Sequence, residues 1–245
     1  MTVSALRTLA SADARLLGRD PLLKWVLWLP VGFALLLRVL IPRVREGLLA
    51  GGGFDILPYF PLVMGGYLMT APGIVGMVIG FLLLDERDAR TLSALRVTPL
   101  SMRQYLTYRI ALPLLVGIAS TLFGYPLVGI SSLPFTSLLA IAAVAALSAP
   151  FLALVLATAA PNKVAGFAVV KMLNAINLLP VAAFFLPLPS QYIVGLIPAY
   201  WPMRALWSAA KGESYLVYLA IGAMIGTLAV VLAARLFERR LLERA

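Results

Sequence analysis

The chain has 245 residues, 62% of them hydrophobic and only 12% charged, with a formal net charge of +10 and neither Cys nor His. A soluble domain carries about 25% charged residues, so this deficit, with apolar runs of about 20 residues recurring along the chain, reads as a polytopic membrane protein. The missing residue types exclude a disulfide framework, a thiolate metal site and the commonest general base, and the basic excess points to cytoplasmic loops rather than to nucleic acid.

In chain order, residues 1–21 read as an N-terminal amphipathic interfacial helix. Leu6, Leu9, Ala10, Leu16 and Leu17 share a face, Arg7, Ser11 and Arg15 lie opposite, and Asp13 interrupts the apolar stripe. Such a helix lies on the membrane surface. Gly18 and Pro21 punctuate its end. No cleavable signal peptide is evident, because no small-residue cleavage site follows the first apolar run.

Residues 22–245 then read as a six-span transmembrane domain, with spans near 22–41, 61–84, 105–128, 136–159, 164–186 and 215–236. Each approaches the length that a hydrocarbon core of about 30 Å requires. Residues 42–60, with Gly51, Gly52 and Gly53, read as a loop, and the linkers 129–134 and 161–163 are short. Residues 187–214 are apolar and aromatic but broken by Pro187, Pro189, Pro198 and Pro202. That composition suits a re-entrant segment better than a full span. The fold class expected is therefore all-α. Fourteen of the 20 basic residues fall on one side when both termini and residues 85–104 are placed in the cytoplasm.

Within the second span, Gly73 follows Pro72, and Gly76-x-x-x-Gly80 is a small-xxx-small pattern that permits close helix approach. It serves either packing within the fold or a flexible, pore-lining helix. In the fifth span Lys171, Asn174 and Asn177 share one sector. They form either a polar strip on a translocation path or subunit interface, or interhelical hydrogen bonds with Lys171 snorkelling to the surface. All ten carboxylates lie at span ends or in loops. The absence of an acid mid-membrane argues against an ion-coupled secondary transporter.

Residues 85–104 are a charged island between two spans. Residues 89–97 contain few helix breakers, Thr98-Pro99 stops the helix, and Ser101-x-x-Gln104 is a capping-box pattern opening the next one. A plain connector needs only a few residues. A capped helix here suits mechanical coupling to a cytoplasmic partner.

The run ERDARTLSAL at 86–95, then Thr98-Pro99, Tyr105-Leu106 and Arg109, resembles the signature of type-2 ABC-exporter permeases, and is most similar to the permease subunits of fluoroquinolone-export systems. Leu196-Ile197-Pro198 with Pro202, and the amphipathic start, are similar to further family segments. Arg90 stands where many members have Gly, Ala89 where an acid is frequent, and Arg109 where Lys is common. The resemblance implies a coupling helix over 86–98. Glu86, Arg87, Asp88, Arg90, Thr91, Leu92, Leu95, Thr98 and Pro99 would seat in a groove on a cytoplasmic ATP-binding subunit present in two copies. It also implies a second permease subunit, identical or homologous, and a path lined by parts of the second and fifth spans, among them Gly73, Gly76, Gly80, Lys171, Asn174 and Asn177. The chain has no G-x-x-x-x-G-K-[ST] phosphate loop. It is therefore expected to be no enzyme and to carry no cofactor, with ATP and magnesium on the partner subunit. The expected setting is the cell membrane of a prokaryote, in contact with lipid, and the expected cargo is a small amphipathic or hydrophobic compound. A non-transporting membrane scaffold is the rival from another class: it would bind a partner through residues 85–104 without moving cargo.

Overall fold

The computed structural model describes residues 11, 13, 15, 18, 25, 26, 28–88 and 101–243, without the side chains of residues 88 and 241–243. Every regular element among them is helical. The first long helix, α1 (Leu29–Gly52), passes through Pro42 and ends where Gly53 turns to φ +68°, its N–H returning to the Leu49 carbonyl. Only that left-handed residue needs glycine, and Gly51 and Gly52 stay in the helix. The loop expected at 42–60 is thus largely helix, and α1 runs about three turns past the expected end of the first span, carrying Arg43, Arg45 and Glu46 with it.

A 3₁₀ turn (Leu57–Tyr59) leads into α2 (Phe60–Asp88), the central helix, which is buried along most of its length. α3 (Met102–Val128) begins at the expected capping box: Ser101 Oγ accepts from the Gln104 N–H at 3.3 Å, and Gln104 Oε1 accepts from the Ser101 N–H at 3.2 Å. The span expected at 136–159 is bent into α4 (Phe135–Ala145) and α5 (Ser148–Ala159). Pro150 has no N–H for the Ala146 carbonyl, and the chain tightens there through Leu147 N–H to Val144 and Ala149 N–H to Ala146.

Asn162 caps α6 (Lys163–Leu178), its Oδ1 accepting from the Ala165 N–H at 2.9 Å, and the helix narrows to 3₁₀ over Leu179–Phe185 at Pro180. Residues 187–214 hold two short helices, α7 (Gln191–Val194) and α8 (Tyr200–Ala210). The last helix is α9 (Leu216–Glu243). Among the described residues, five helices are long and apolar enough to cross a membrane: Leu57–Arg87, Met102–Val128, Phe135–Ala159, Lys163–Phe185 and Leu216–Arg240. Part of the first expected span, 22–41, lies outside the described residues, and α1 carries four charged side chains along its length.

α2 runs through both apolar clusters of the core. Met64, Tyr67 and Leu68 pack with Tyr200, Met203 and Trp207 of α8 in one, and residues from Val75 to Leu84 pack with Ala153 and Leu156 of α5 and Phe237 of α9 in the other. α5 lies against α2 at Gly76 and Gly80. A Cβ on Gly76 would fall 2.5 Å from the Ala149 carbonyl oxygen, and one on Gly80 2.7 Å from Leu156 Cδ2. At the end of the bundle remote from the 89–100 connection, Trp207 Nε1 donates to the Pro61 carbonyl at 3.1 Å and the Tyr215 hydroxyl meets Ser137 at 2.8 Å. Trp201 and Pro202 lie beside Gly222, more than a turn into α9. The first turn of α8 therefore sits deeper along α9 than its last.

Candidate functional site

The last turn of α2 and the first turns of α3 flank residues 89–100. Tyr105, Tyr108 and Arg109 occupy positions i, i+3 and i+4 of α3 and so share a face; all three are buried, Arg109 completely. Its guanidinium donates through one terminal nitrogen to Asp13 Oδ2 at 2.8 Å and through the other to Glu86 Oε1. The Tyr105 hydroxyl donates to Glu86 Oε2 at 2.5 Å, and the Tyr108 hydroxyl to Asp13 Oδ2 at 2.8 Å. The two phenol rings flank the guanidinium carbon at 5.2 and 5.4 Å. One cation thus joins the N-terminal segment, the exit of α2 and the entry of α3.

The guanidinium is fully buried between two carboxylates, Asp13 buried and Glu86 partly so. Buried ions are costly to desolvate, and such a cluster persists where hydrogen bonds satisfy its members. Among the described residues, Asp13 Oδ1 and Arg109 Nε have no partner. Asp13, which breaks an apolar stripe in the sequence, is bonded to Tyr108 and Arg109 of α3.

The neighbouring charges are also engaged. Arg87 donates to the carbonyls of Ala157 at 2.9 Å, Ala160 at 2.8 Å and Pro161 at 3.0 Å. A cation at a helix C-terminus satisfies its orphan carbonyls and complements its dipole. Arg240 of α9 adds a bond to the Thr158 carbonyl at 3.1 Å, and Lys163 pairs with Asp85 at 2.9 Å.

The residues expected to contact a partner divide accordingly. Glu86 and Arg87 turn their side chains onto their own chain. Asp88 ends α2. Arg90, Thr91, Leu92, Leu95, Thr98 and Pro99 lie outside the described residues. Of the expected path residues, Lys171 is exposed on α6, and Asn174 is half-buried with its Oδ1 3.5 Å from where a Gly73 Cβ would stand. Asn177 lines a narrow cleft with Met69, Phe151, Pro198 and Gly226. Gly76 and Gly80 are filled by α5 of the same chain. Tyr108 and Asp13 are the functional candidates that the sequence reading passed over. The spacing of Tyr105, Tyr108 and Arg109, and an acid on an apolar face, were the signals that pointed to them.

The family described as Fluoroquinolones export permease protein Rv2686c-like matches residues 13–234. Two curated relatives from Mycobacterium tuberculosis are each 33% identical over 233 residues, covering 93% of this chain and 91% of the relative: Fluoroquinolones export permease protein MT2760 of strain CDC 1551 / Oshkosh and Fluoroquinolones export permease protein Rv2686c of strain ATCC 25618 / H37Rv. No solved structure matches the chain. With five apolar helices of spanning length, these likenesses identify an integral membrane protein.

Proposed function

The chain belongs to the Rv2686c-like family of fluoroquinolones export permease proteins, and on that premise we propose that it is the membrane permease subunit of an ABC-type exporter, driven by ATP hydrolysis on a separate subunit. Two copies of a cytoplasmic ATP-binding protein, carrying ATP and magnesium, engage the coupling segment within residues 85–104. A second permease subunit, identical or homologous, completes the translocation path. The cargo is a small amphipathic or hydrophobic drug-like compound, a reading supported by relatives named for fluoroquinolones export. Both termini lie in the cytoplasm, and residues 187–214 re-enter the opposite membrane face. The deeper seating of the first turn of α8 beside Gly222 supports that re-entrant reading.

The observation that carries the reading is the Asp13–Arg109–Glu86 cluster. It ties together the two long helices that bracket the coupling segment. A push on residues 89–100 then moves α2 and α3 as one lever instead of dissipating in a hinge. Glu86 and Arg87 act in this scheme as positioning residues beneath the docking surface, and the contacts to the ATP-binding subunit fall to the residues between Asp88 and Pro99.

The test is reconstitution in vesicles with the ATP-binding subunit, following fluoroquinolone flux and phosphate release together. Flux that needs ATP and both proteins is the expected result. Flux driven by a proton or sodium gradient without the ATP-binding subunit would overturn the reading, and partner binding without flux would favour a scaffold. Thr91→Pro should leave the spans folded and separate hydrolysis from transport.

A further inference from the structure

Arg204 lies on α8, at the end of the bundle remote from the ion cluster. It is only 8% exposed. Its guanidinium carbon stands 5.1 Å from the centre of the Tyr218 ring. The Tyr192 ring stacks on Trp201 at 6.4 Å. These rings form an aromatic wall beside the cation.

Among the described residues no carboxylate pairs with Arg204; the ion pairs there involve Arg45, Arg109 and Lys163. Among the described residues its buried Nε has no hydrogen-bond partner, and neither has the buried Oγ of Ser208, one turn further on the same face of α8. Aromatic faces offset only part of the cost of burying a cation. The contrast with Arg109 is direct: that guanidinium has two carboxylates around it.

We infer that Arg204 and Ser208 form an oxyanion site. A singly charged group places its oxygens on the guanidinium fork and the Ser208 hydroxyl, and its organic part lies against Tyr192, Trp201 and Tyr218. A planar fork with an unused N–H is the donor set that carboxylates and phosphates select. Two sources present that chemistry at this end of the protein: the phosphodiester of a membrane lipid, and the carboxylate of an aromatic acid among the cargo. The inference concerns this end alone and does not depend on how transport is driven, so it fails or stands separately from the coupling scheme.

The full-length protein, purified in an uncharged detergent free of phosphate, is offered two probes. Phosphatidylglycerol is read as lipid retained per chain by native mass spectrometry, and 2-naphthoate by equilibrium dialysis. The wild-type protein binds at least one of them, and Arg204→Gln weakens that binding by about tenfold or more, the loss of a charge-assisted hydrogen bond. Arg204→Lys, which keeps the charge and loses the fork, falls between. Retention of phosphatidylglycerol alone identifies a lipid site, and binding of 2-naphthoate identifies a cargo subsite. Failure of the wild type to bind either probe, or equal binding by Arg204→Gln, overturns the inference. Should Arg204→Gln not fold, Ser208→Ala keeps the cation and must still weaken the same probe; unchanged binding in that variant also overturns it.

Discussion

Asp13 and Arg109 stand 96 positions apart in the chain and meet in a 2.8 Å ion pair whose guanidinium has no exposed surface. Removing the cation strands the buried Asp13 and the partly buried Glu86. Arg109→Ala is therefore predicted to cost about 3–5 kcal/mol, the penalty for breaking a buried pair. Asp13→Asn leaves Glu86 as counter-ion and keeps an acceptor for Tyr108, so its cost should be nearer 1–3 kcal/mol, roughly that of a weakened buried hydrogen bond. Thermal unfolding of the purified protein in detergent measures both. Equal midpoints for wild type and Arg109→Ala would show that the cluster does not hold the fold.

Tyr105 reports on coupling more cleanly than Arg109 does. Its hydroxyl donates to Glu86 Oε2 at 2.5 Å while its ring fills the core. Tyr105→Phe keeps the ring and loses a hydrogen bond to a charged group, about 1.5–3 kcal/mol. If the cluster makes α2 and α3 one lever, this variant should move less cargo per ATP hydrolysed in reconstituted vesicles, with hydrolysis itself better preserved. An unchanged ratio would count against the lever.

Arg87 should matter through α5. Three carbonyls at the end of that helix accept from it. Arg87→Gln, too short to span them, is predicted to destabilise by about 2 kcal/mol, combining the dipole and hydrogen-bond terms. Arg240→Gln removes one exposed bond to Thr158 and should cost about 0.5 kcal/mol, the low end for such a bond. Denaturant midpoints for the two variants give the order, and the reverse order would refute this account of the α5 terminus.

What could be read in the sequence was local. Ser101 and Gln104 are three residues apart, so their reciprocal cap follows from the pattern alone. The helices α2, α3 and α9 follow from runs too long and too apolar to be anything else. Three adjacent glycines read as a loop because each is a poor helix former, yet only Gly53 adopts a left-handed conformation that ends α1. The bend before α5 follows from the N–H that Pro150 lacks, which leaves the Ala146 carbonyl to the Ala149 N–H, and the apolar pattern runs through it unbroken. Asp13 was legible only as a flaw in a stripe, since its partner is far away in the chain. Arg204 read as one more basic residue on the side with fewer of them, because burial does not show in composition.

The exposed pair at the end of α1 gives a pH prediction. Arg45 Nε donates to Asp55 Oδ1 at 2.7 Å, and the same oxygen accepts from the Leu57 N–H at 3.0 Å. The Arg45 hydrogen bond first, then that from Leu57, holds the Asp55 carboxyl down at about 2, below its ordinary 3.8. A carboxylate with a lowered folded pKa stabilises above its unfolded value, and that contribution is lost as pH falls through the folded one. The pair should therefore be intact at pH 4 and above and open near pH 2. The carboxyl carbon shift of Asp55 followed by NMR in micelles tests this; a midpoint near 4 would mean that the pair does not form in solution.

The seam between α2 and α5 yields the sharpest steric contrast. Gly66 and Gly76 are both inside α2, ten residues apart. A Cβ at Gly66 meets nothing within 4 Å, whereas one at Gly76 falls 2.5 Å from the Ala149 carbonyl oxygen and 3.0 Å from its Cα. Backbone cannot rotate aside as a side chain can, so Gly76→Ala must push α5 away from α2. The predicted cost is about 1–3 kcal/mol, as for overpacking elsewhere. Gly80→Ala meets first the Cδ2 of Leu156, the mobile end of a side chain, and should cost less than Gly76→Ala. Gly66→Ala gains helix propensity without a clash and should be neutral or stabilising by up to about 1 kcal/mol. Melting temperatures of the three variants in one detergent decide the matter. If Gly76→Ala melts no lower than Gly66→Ala, the two helices are not in backbone contact there, and Gly76 would be free to face a path or a second subunit instead.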